Sequence, residues 1–263
     1  MSPALTVSPL EFRFSLDAST TSTHILTLEN PTSSPASFTL RLEPLSSIDS
    51  SFTQLSRWVS FPNGTVYSLE PENSLEVSFT VTTPDSLPDG GQYAELLIEF
   101  SPDTSEPSAT EGLSVISSIS IPLYGVVSGG ETVRRSELRS LSLSPFLSTS
   151  ELVASSTLVN SGNIDFSVSN TFSVSSLFGS KLYETSSFVN VLPGSEKSIF
   201  FEWQDTPPFG LYRLDYSIEA AGLNTSLSRV VLVASPLYIA IFCFLFTLAV
   251  VLRLLLHRSS KTR

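Results

Sequence analysis

The strongest constraint on this chain is a two-residue alternation of apolar and polar side chains that recurs along most of its length. In LEVSFTVTT, apolar residues occupy every second position from Leu75 to Val81. Because successive side chains of a strand point to opposite faces, this pattern predicts a strand with one buried face. The same alternation occurs in HILTLEN, SFTLRLEP, YAELLIEF, VISSISIPLYGVV, SIFFEW and LYRLDYSIEA. Turn residues bound each stretch, which predicts immunoglobulin-like β-sandwiches.

One strand-and-turn pattern is present twice. The segment ILTLENPTSSPASFTL (25–40) resembles SSTLVNSGNIDFSV (155–168), and LEPENSLEVSF resembles LPGSEKSIFF. The matched positions are Leu69, Pro71, Ser74, Phe79, Pro84, Pro88, Gly91 and Tyr93 against Leu192, Pro193, Ser195, Phe201, Pro207, Pro208, Gly210 and Tyr212. Two copies are too few for a solenoid, so each copy is predicted to close its own sandwich.

The repeated turn residues have a mechanical interpretation. Pro71 and Pro193 predict turns before a strand, and Gly91 and Gly210 are predicted to supply the positive φ with which the chain reverses. Tyr93 and Tyr212 are then predicted to be corner tyrosines, whose hydroxyls tie the loop to the sandwich.

The chain accordingly divides into five predicted parts. Residues 1–128 form a first sandwich, 129–137 a linker, 138–234 a second sandwich, 235–257 a transmembrane helix and 258–263 a basic cytoplasmic tail. The linker contains SGGETVRR, which is rich in glycine and charge and typical of a hinge. The acidic segment SPDTSEPSATEG (101–112) is predicted to be an exposed hairpin loop.

The C-terminal run PLYIAIFCFLFTLAVVL (236–252) contains no charged residue and predicts one membrane span. The basic sequence RLLLHRSSKTR follows it, and positive residues favour the cytoplasmic side, so the sandwiches are expected outside the cell membrane. The opening MSPALTVSPLEFRF lacks the basic and apolar regions of a signal peptide. Two alternatives remain: a start upstream of Met1, or a tail-anchored protein with its domains in the cytosol.

Composition excludes several classes of function. The net charge is −11, and four of the basic residues follow the apolar run, so the remainder is strongly acidic and unsuited to nucleic acid. The sole cysteine, Cys243, lies within the predicted span, which excludes a disulfide, a CxxC zinc site or a thiol nucleophile in the sandwiches. Immunoglobulin-like domains without an intersheet disulfide favour a prokaryotic surface.

The sequence predicts no catalytic residue, no cofactor and no metal site. His24 stands in a strand and His257 beside the span, so a His/Ser/Asp set is not expected. Asp85 with Asp89, and the acidic loop 103–111, offer oxygen ligands for calcium, but without the spacing of a known site. Trp58 and Trp203 are either sugar-stacking platforms or core residues, and their positions in or before strands favour the core.

The stretches SPLEFRFSL, LENPTSSPASFTL and WVSFPNGTVYSLEPENSLEVSFTVTTPDSLPDGGQYAELLIEF resemble the first domain of bacterial WxL-interacting surface proteins, the DUF916-type fold. The positions that carry the likeness are Trp58, Pro71, Phe79, Pro84, Gly91 and Tyr93. The resemblance implies two immunoglobulin-like domains before a membrane anchor, with peptidoglycan or another surface protein as partner. It transfers no binding residue to this chain.

A second resemblance concerns LTVSPLEFRF and THILTLENPTSSPASFTLRLEP, which are similar to the cytosolic major-sperm-protein domains. These can sit on a C-terminal tail anchor and bind acidic peptides through a basic groove, which the acidic body of this chain opposes. The expected function is therefore a membrane-anchored, extracytoplasmic binding or scaffold protein of a bacterial surface, and not an enzyme. The alternative is a cytosolic, tail-anchored adaptor.

Overall fold

The computed structural model describes residues 5–100, 118–147 and 152–259. The chain consists mainly of strands and divides into two compact units. The first unit comprises Met1–Arg134, Gly162–Asp165 and Leu192–Ser195, and the second comprises Arg135–Ser161, Phe166–Val191 and Glu196–Arg263. The acidic segment 101–112, predicted as a hairpin loop, lies outside the described residues.

The first unit is a sandwich of two sheets, ordered β1-β3-β7-β5 and β2-β9-β8-β4-β6. Among its described strands, all pairs are antiparallel except β2 with β9. A 3₁₀ turn (Ser50–Phe52) and the short helix α1 (Leu55–Trp58) precede β5. The strands are β1 (Thr6–Ser8), β2 (Phe12–Leu16), β3 (Thr21–Glu29), β4 (Ala36–Glu43), β5 (Val59–Ser60), β6 (Val66–Leu69), β7 (Ser74–Thr82), β8 (Gly91–Phe100) and β9 (Ser118–Val127).

The second unit repeats this topology without a counterpart of β5 among its described strands, and its sheets are ordered β10-β12-β15 and β11-β17-β16-β13-β14. Its one parallel pair, β11 with β17, corresponds to β2 with β9. The strands are β10 (Ser136–Leu143), β11 (Phe146–Leu147), β12 (Leu152–Asn160), β13 (Phe166–Ser176), β14 (Lys181–Val191), β15 (Glu196–Glu202), β16 (Phe209–Ala220) and β17 (Leu223–Ala234). The prediction of two immunoglobulin-like sandwiches is therefore confirmed.

Each sandwich encloses its own apolar core, as the alternation predicts. In β7, Val77, Phe79 and Val81 are buried, whereas Leu75 at the start of the strand is only partly buried. The core of the second unit is built by the same alternation and includes Phe172, Phe201 and Leu214. Burial of such side chains contributes about 1.5–3 kcal/mol each.

The segment predicted as a linker is held by hydrogen bonds of Asn163, which belongs to the first unit. The side chain of Asn163 accepts from the backbone N–H of Val133 at 2.7 Å and donates to the carbonyl of Glu131 at 2.7 Å. The backbone N–H of Asn163 also donates to the carbonyl of Val133 at 2.9 Å. The backbone N–H and C=O groups of Val133 and the C=O group of Glu131 are therefore hydrogen-bonded within the first unit.

The helix α2 (Pro236–Ser259) continues directly from β17. Its first 18 residues, Pro236–Arg253, have a mean hydropathy of 2.2 and none of them is buried. A helix of 24 residues is about 36 Å long, enough for a hydrocarbon layer of about 30 Å. The helix therefore has the length and composition of a membrane span.

Candidate functional site

The prolines of the repeated turns act as predicted, but the glycines do not both supply a positive φ where the chain reverses. Gly90 rather than Gly91 has a positive φ, at 92°. Gly91 is required for another reason, because a Cβ there would collide with the hydroxyl of Tyr93. A Cβ at Gly210 would lie 2.6 Å from the hydroxyl of Tyr212. In each copy the tyrosine ring covers the glycine two residues earlier, on the same face of the strand.

Tyr212 behaves as a corner tyrosine, since its hydroxyl donates to the carbonyl of Phe209 at 3.3 Å. Tyr93 does not. Its hydroxyl donates to the carboxylate of Asp165 at 3.0 Å and accepts from the backbone N–H of Asp165 at 2.8 Å. Arg13 completes this cluster, with its guanidinium 3.2 Å from the Asp165 carboxylate and 4.5 Å from the centre of the Tyr124 ring.

The Tyr93 cluster stabilises structure and does not provide a reactive group. Burial, followed by the negative charge of Asp165, raises the pKa of Tyr93 above its ordinary value. The hydroxyl therefore stays protonated and serves as a donor. Tyr93 is fully buried, and so offers no surface to a ligand.

The second unit has a polar group of its own at the centre of its core. The hydroxyl of Tyr216 is hydrogen-bonded to the hydroxyl of Ser156 and donates to the side-chain carbonyl of Asn170 at 3.2 Å. All three residues are fully buried, and burial raises the pKa of Tyr216. Since a buried network costs free energy when a partner is missing, these residues fix the packing of the two sheets.

Within the described residues, no group of three or more His, Cys, Asp or Glu side chains could hold a metal ion. Of the calcium candidates, Asp85 accepts a hydrogen bond from the Ser19 hydroxyl at 2.6 Å, and Asp89 accepts one from the Glu131 backbone. The acidic loop 103–111 lies outside the described residues. The carboxylates of Asp85 and Asp89 therefore accept hydrogen bonds that connect neighbouring loops.

The side chains of His24, Trp58 and Trp203 pack against apolar and aromatic residues. The His24 ring lies 4.5 Å from the ring of Phe14 and 5.5 Å from that of Phe79, centre to centre, and burial lowers its pKa. Trp203 is buried in the second core, where it makes an edge-on contact with Tyr212. Trp58 packs partly buried against the first core. The core interpretation of both tryptophans agrees with this packing.

The candidate binding surface is the outer edge of β14. This strand is 11 residues long and, among the described residues, pairs only with β13. An edge strand presents a row of backbone N–H and C=O groups on which another chain can pair. Residues 181–189 of β14 therefore form an edge longer than a typical strand of about 5–6 residues.

The side chain that distinguishes this edge is Phe188, which is 78% exposed. It projects from the outer face of the sheet, together with Glu184 and Ser186 of the same strand. Sequence reasoning did not single it out. The alternation of the strand did contain a signal. In YETSSFVNV, Tyr183, Val189 and Val191 share the face that points toward the core, so Phe188 is an apolar residue on the opposite, outward face.

No family model and no curated protein matches the chain. Among solved structures, a chain of the Salmonella enterica SafA pilin–SafB chaperone complex has a TM-score of 0.44 at 14% identity, covering 88% of this chain and 97% of that one. The Pseudomonas aeruginosa CupB2 chaperone has a TM-score of 0.41 at 15% identity, with coverage of 85% and 99%. A PapD-like domain of human CEP192 has a TM-score of 0.34 at 17% identity, with coverage of 48% and 87%. These similarities concern architecture alone.

Proposed function

We propose that this chain is a membrane-anchored binding protein of a bacterial cell surface, of the WxL-interacting type, which captures a partner protein by strand addition to β14. The observation that carries the proposal is the 11-residue edge with the exposed Phe188 side chain. Strand addition draws its affinity from backbone hydrogen bonds and its specificity from alternate side chains. An added strand would place a side chain against Phe188 at the usual cross-strand spacing of about 5 Å.

The charge of the surrounding face defines the partner further. Glu219 projects outward from β16 at the level of Phe188, since both residues pair with Ser169 of β13, whereas Glu184 on β14 is paired with Lys181 at 2.7 Å. The chain as a whole is acidic, with a net charge of −11. The favoured partner is therefore an extended segment with an apolar residue opposite Phe188 and basic residues beside it.

The membrane anchor is α2, and the orientation follows from the basic residues at its C-terminal end. Arg253 and Arg258 favour the cytoplasmic side, which leaves both sandwiches outside. The resemblance to WxL-interacting proteins also offers peptidoglycan as a ligand. Strand addition is preferred because Trp203, one of two candidate sugar platforms, is buried.

Orientation is tested with a single reporter cysteine at Ser217, an exposed position of β16. In a Cys243→Ser background, Ser217→Cys is expected to react with a membrane-impermeant maleimide in intact cells. Labelling only after the membrane is broken would instead establish the cytosolic adaptor.

The binding edge is tested by a photo-cross-linking amino acid at Phe188, with Ser217 on the central strand of the same face as the matched control position. A discrete cross-linked partner is expected from position 188 and not from 217. The variant Phe188→Glu should abolish the adduct of a cross-linker at Ser186, because it replaces the exposed apolar ring with a charge that an apolar partner side chain cannot pack against. Equal cross-linking from positions 188 and 217 would contradict strand addition at this edge.

A further inference from the structure

Large exposed apolar side chains are distributed unevenly over the described residues. The first unit exposes three, Leu10, Ile25 and Val66. The second unit exposes many more outside α2. They are Phe146, Leu177, Phe178, Leu182, Phe188, Phe200, Phe209, Leu211, Val230 and Leu232. Scattered single apolar residues need no explanation, but a contiguous patch marks an interaction surface.

In the second unit, all of the exposed apolar side chains outside α2, except Phe188, lie at the end of the sandwich where α2 begins. Leu211 pairs with Leu232, and Phe146 pairs with Leu232 from the other side. The tip of the β13–β14 hairpin, with Leu177 and the 98% exposed Phe178, follows Ser176, which pairs with Tyr212. Three separate connections of the chain therefore bring apolar side chains to one end.

The outward face of β16 and β17 changes from apolar to polar along both strands, within one outward residue of the same level. On β16 the outward residues run Phe209, Leu211, then Arg213 and Asp215. On β17, running the other way, Ser228 is followed by Val230 and then Leu232. Arg213 pairs with Val230 and Asp215 with Ser228, so the apolar stretch extends one outward residue further on β17 than on β16.

This apolar end is continuous with the helix. The ring of Phe209 stacks on that of Tyr238, in the first turn of α2, with centres 5.9 Å apart. The backbone N–H of Ser235 donates to the carbonyl of Pro208 at 2.8 Å. Tyr238 stands where aromatic side chains gather at a membrane interface, and Phe209 extends that aromatic contact onto the sheet.

We propose that this juxtamembrane end of the second sandwich is seated in the headgroup layer of the bilayer that α2 spans. The juxtamembrane end comprises the exposed apolar side chains given above for the second unit, except Phe188. Two strand residues rise about 7 Å, which places Leu211 within the reach of a headgroup layer about 5–8 Å deep. Val230, one further step along, marks its upper boundary. The inference rests on the membrane anchoring proposed above.

The lipid surface is favoured over a second copy of the chain because the apolar side chains surround the point where the helix enters the membrane. Any bilayer that holds the first turn of α2 also approaches Phe209, which touches that turn. Apolar side chains in the interface gain free energy in proportion to their buried area. The consequence is that the second sandwich lies against the membrane instead of standing free of it.

The experiment uses the full chain reconstituted into phosphatidylcholine vesicles, in a Cys243→Ser background. An environment-sensitive fluorophore is attached at Phe178→Cys or Leu211→Cys. The matched control is Ser217→Cys, on the same face of β16 but beyond the polar boundary. Leu248→Cys, within the helix, reports whether α2 spans the bilayer at all. Quenching by spin labels on lipid headgroups is compared with quenching by aqueous iodide.

The labels at positions 178 and 211 are expected to emit at shorter wavelength and to be quenched severalfold more by lipid spin labels than the label at 217. Iodide should show the reverse order. If the label at 248 is reached by acyl-chain quenchers but those at 178 and 211 match 217, the seating is wrong and the anchor stands. If 248 is not reached, the anchor itself fails. Shielding of 178 and 211 from both quenchers would show that protein covers this end, which also overturns the proposal.

Discussion

The hydroxyl of Tyr93 lies 3.0 Å from the carboxylate of Asp165, a residue 72 positions later in the chain. Its counterpart in the second copy, Tyr212, reaches only three positions back, to the carbonyl of Phe209. The two tyrosines occupy the same place in the repeat and pack over equivalent glycines. They differ in the hydroxyl partner, and this difference predicts different consequences for the same substitution.

Tyr93→Phe is expected to lower the free energy of unfolding by about 1–3 kcal/mol, since it removes both hydrogen bonds between the hydroxyl and the buried Asp165. Tyr212→Phe removes a longer bond at an exposed site and should cost less than about 0.5 kcal/mol. Denaturant unfolding of the full chain in detergent compares the two. Equal losses would show that the hydroxyl partner of Tyr93 has no energetic role.

The two repeated turns predict an opposite pair of effects. Glu72 and Gly194 both follow a proline and have φ of 58° and 68°. A residue with a Cβ in the left-handed region costs about 1–2 kcal/mol relative to glycine. Glu72→Gly should therefore raise the midpoint of thermal unfolding, and Gly194→Ala should lower it. A destabilised Glu72→Gly variant would mean that the Glu72 side chain contributes more than its backbone conformation costs.

The polar centre of the second core predicts a loss from a change that removes one oxygen atom. Tyr216→Phe leaves the side chain of Asn170 without its hydroxyl donor in a fully buried position. We expect a loss of about 1–3 kcal/mol in denaturant unfolding. Combining Tyr216→Phe with Asn170→Leu and Ser156→Ala should recover part of it, because the polar side chains of all three network residues are then removed together. An unchanged midpoint in the single variant would contradict the role of this network.

His24 predicts a pH dependence. Burial lowers its pKa below the ordinary 6.5, so the unfolded chain binds the proton more readily than the folded one. The stability associated with neutral His24 is complete above about pH 6.5 and decreases as the pH falls toward the lowered folded pKa. His24→Gln should flatten the decrease in unfolding midpoint between about pH 7 and pH 5, whereas Thr23→Ala, at an exposed position of the same strand, should retain it. Parallel curves for His24→Gln and the parent chain would exclude His24 as the source.

The repeat in the sequence was sufficient to predict the duplicated sandwich, because alternation and turn chemistry act locally. Val77, Phe79 and Val81 are buried as their spacing requires. Asn30 and Asn160 close equivalent strands, and each donates to a carbonyl before the next turn, that of Leu69 at 3.1 Å and that of Val191 at 2.9 Å. Each asparagine follows the alternating strand in its copy of the repeated segment, LTLEN (26–30) or STLVN (156–160), so the sequence aligns the two.

The reasons behind other matched residues could not be predicted. Gly91 was expected to supply a positive φ, but it is required by the tyrosine ring that covers it. The edge position of β14 also escaped prediction, since whether a strand is central or at an edge depends on its neighbours. Phe188 and Phe172 are both phenylalanines in alternating strands, yet one is 78% exposed and the other fully buried.

The sequence by itself determined the period-two strands, their duplication and the apolar helix, since these depend on the order of side chains along a few residues of backbone. Only the tertiary structure decided which carbonyl or carboxylate each tyrosine reaches, which strand is left at an edge, and which apolar side chains gather around the start of α2. Those outcomes depend on strand pairing between residues far apart in the chain. The local pattern of a strand does not specify which distant strand it pairs with.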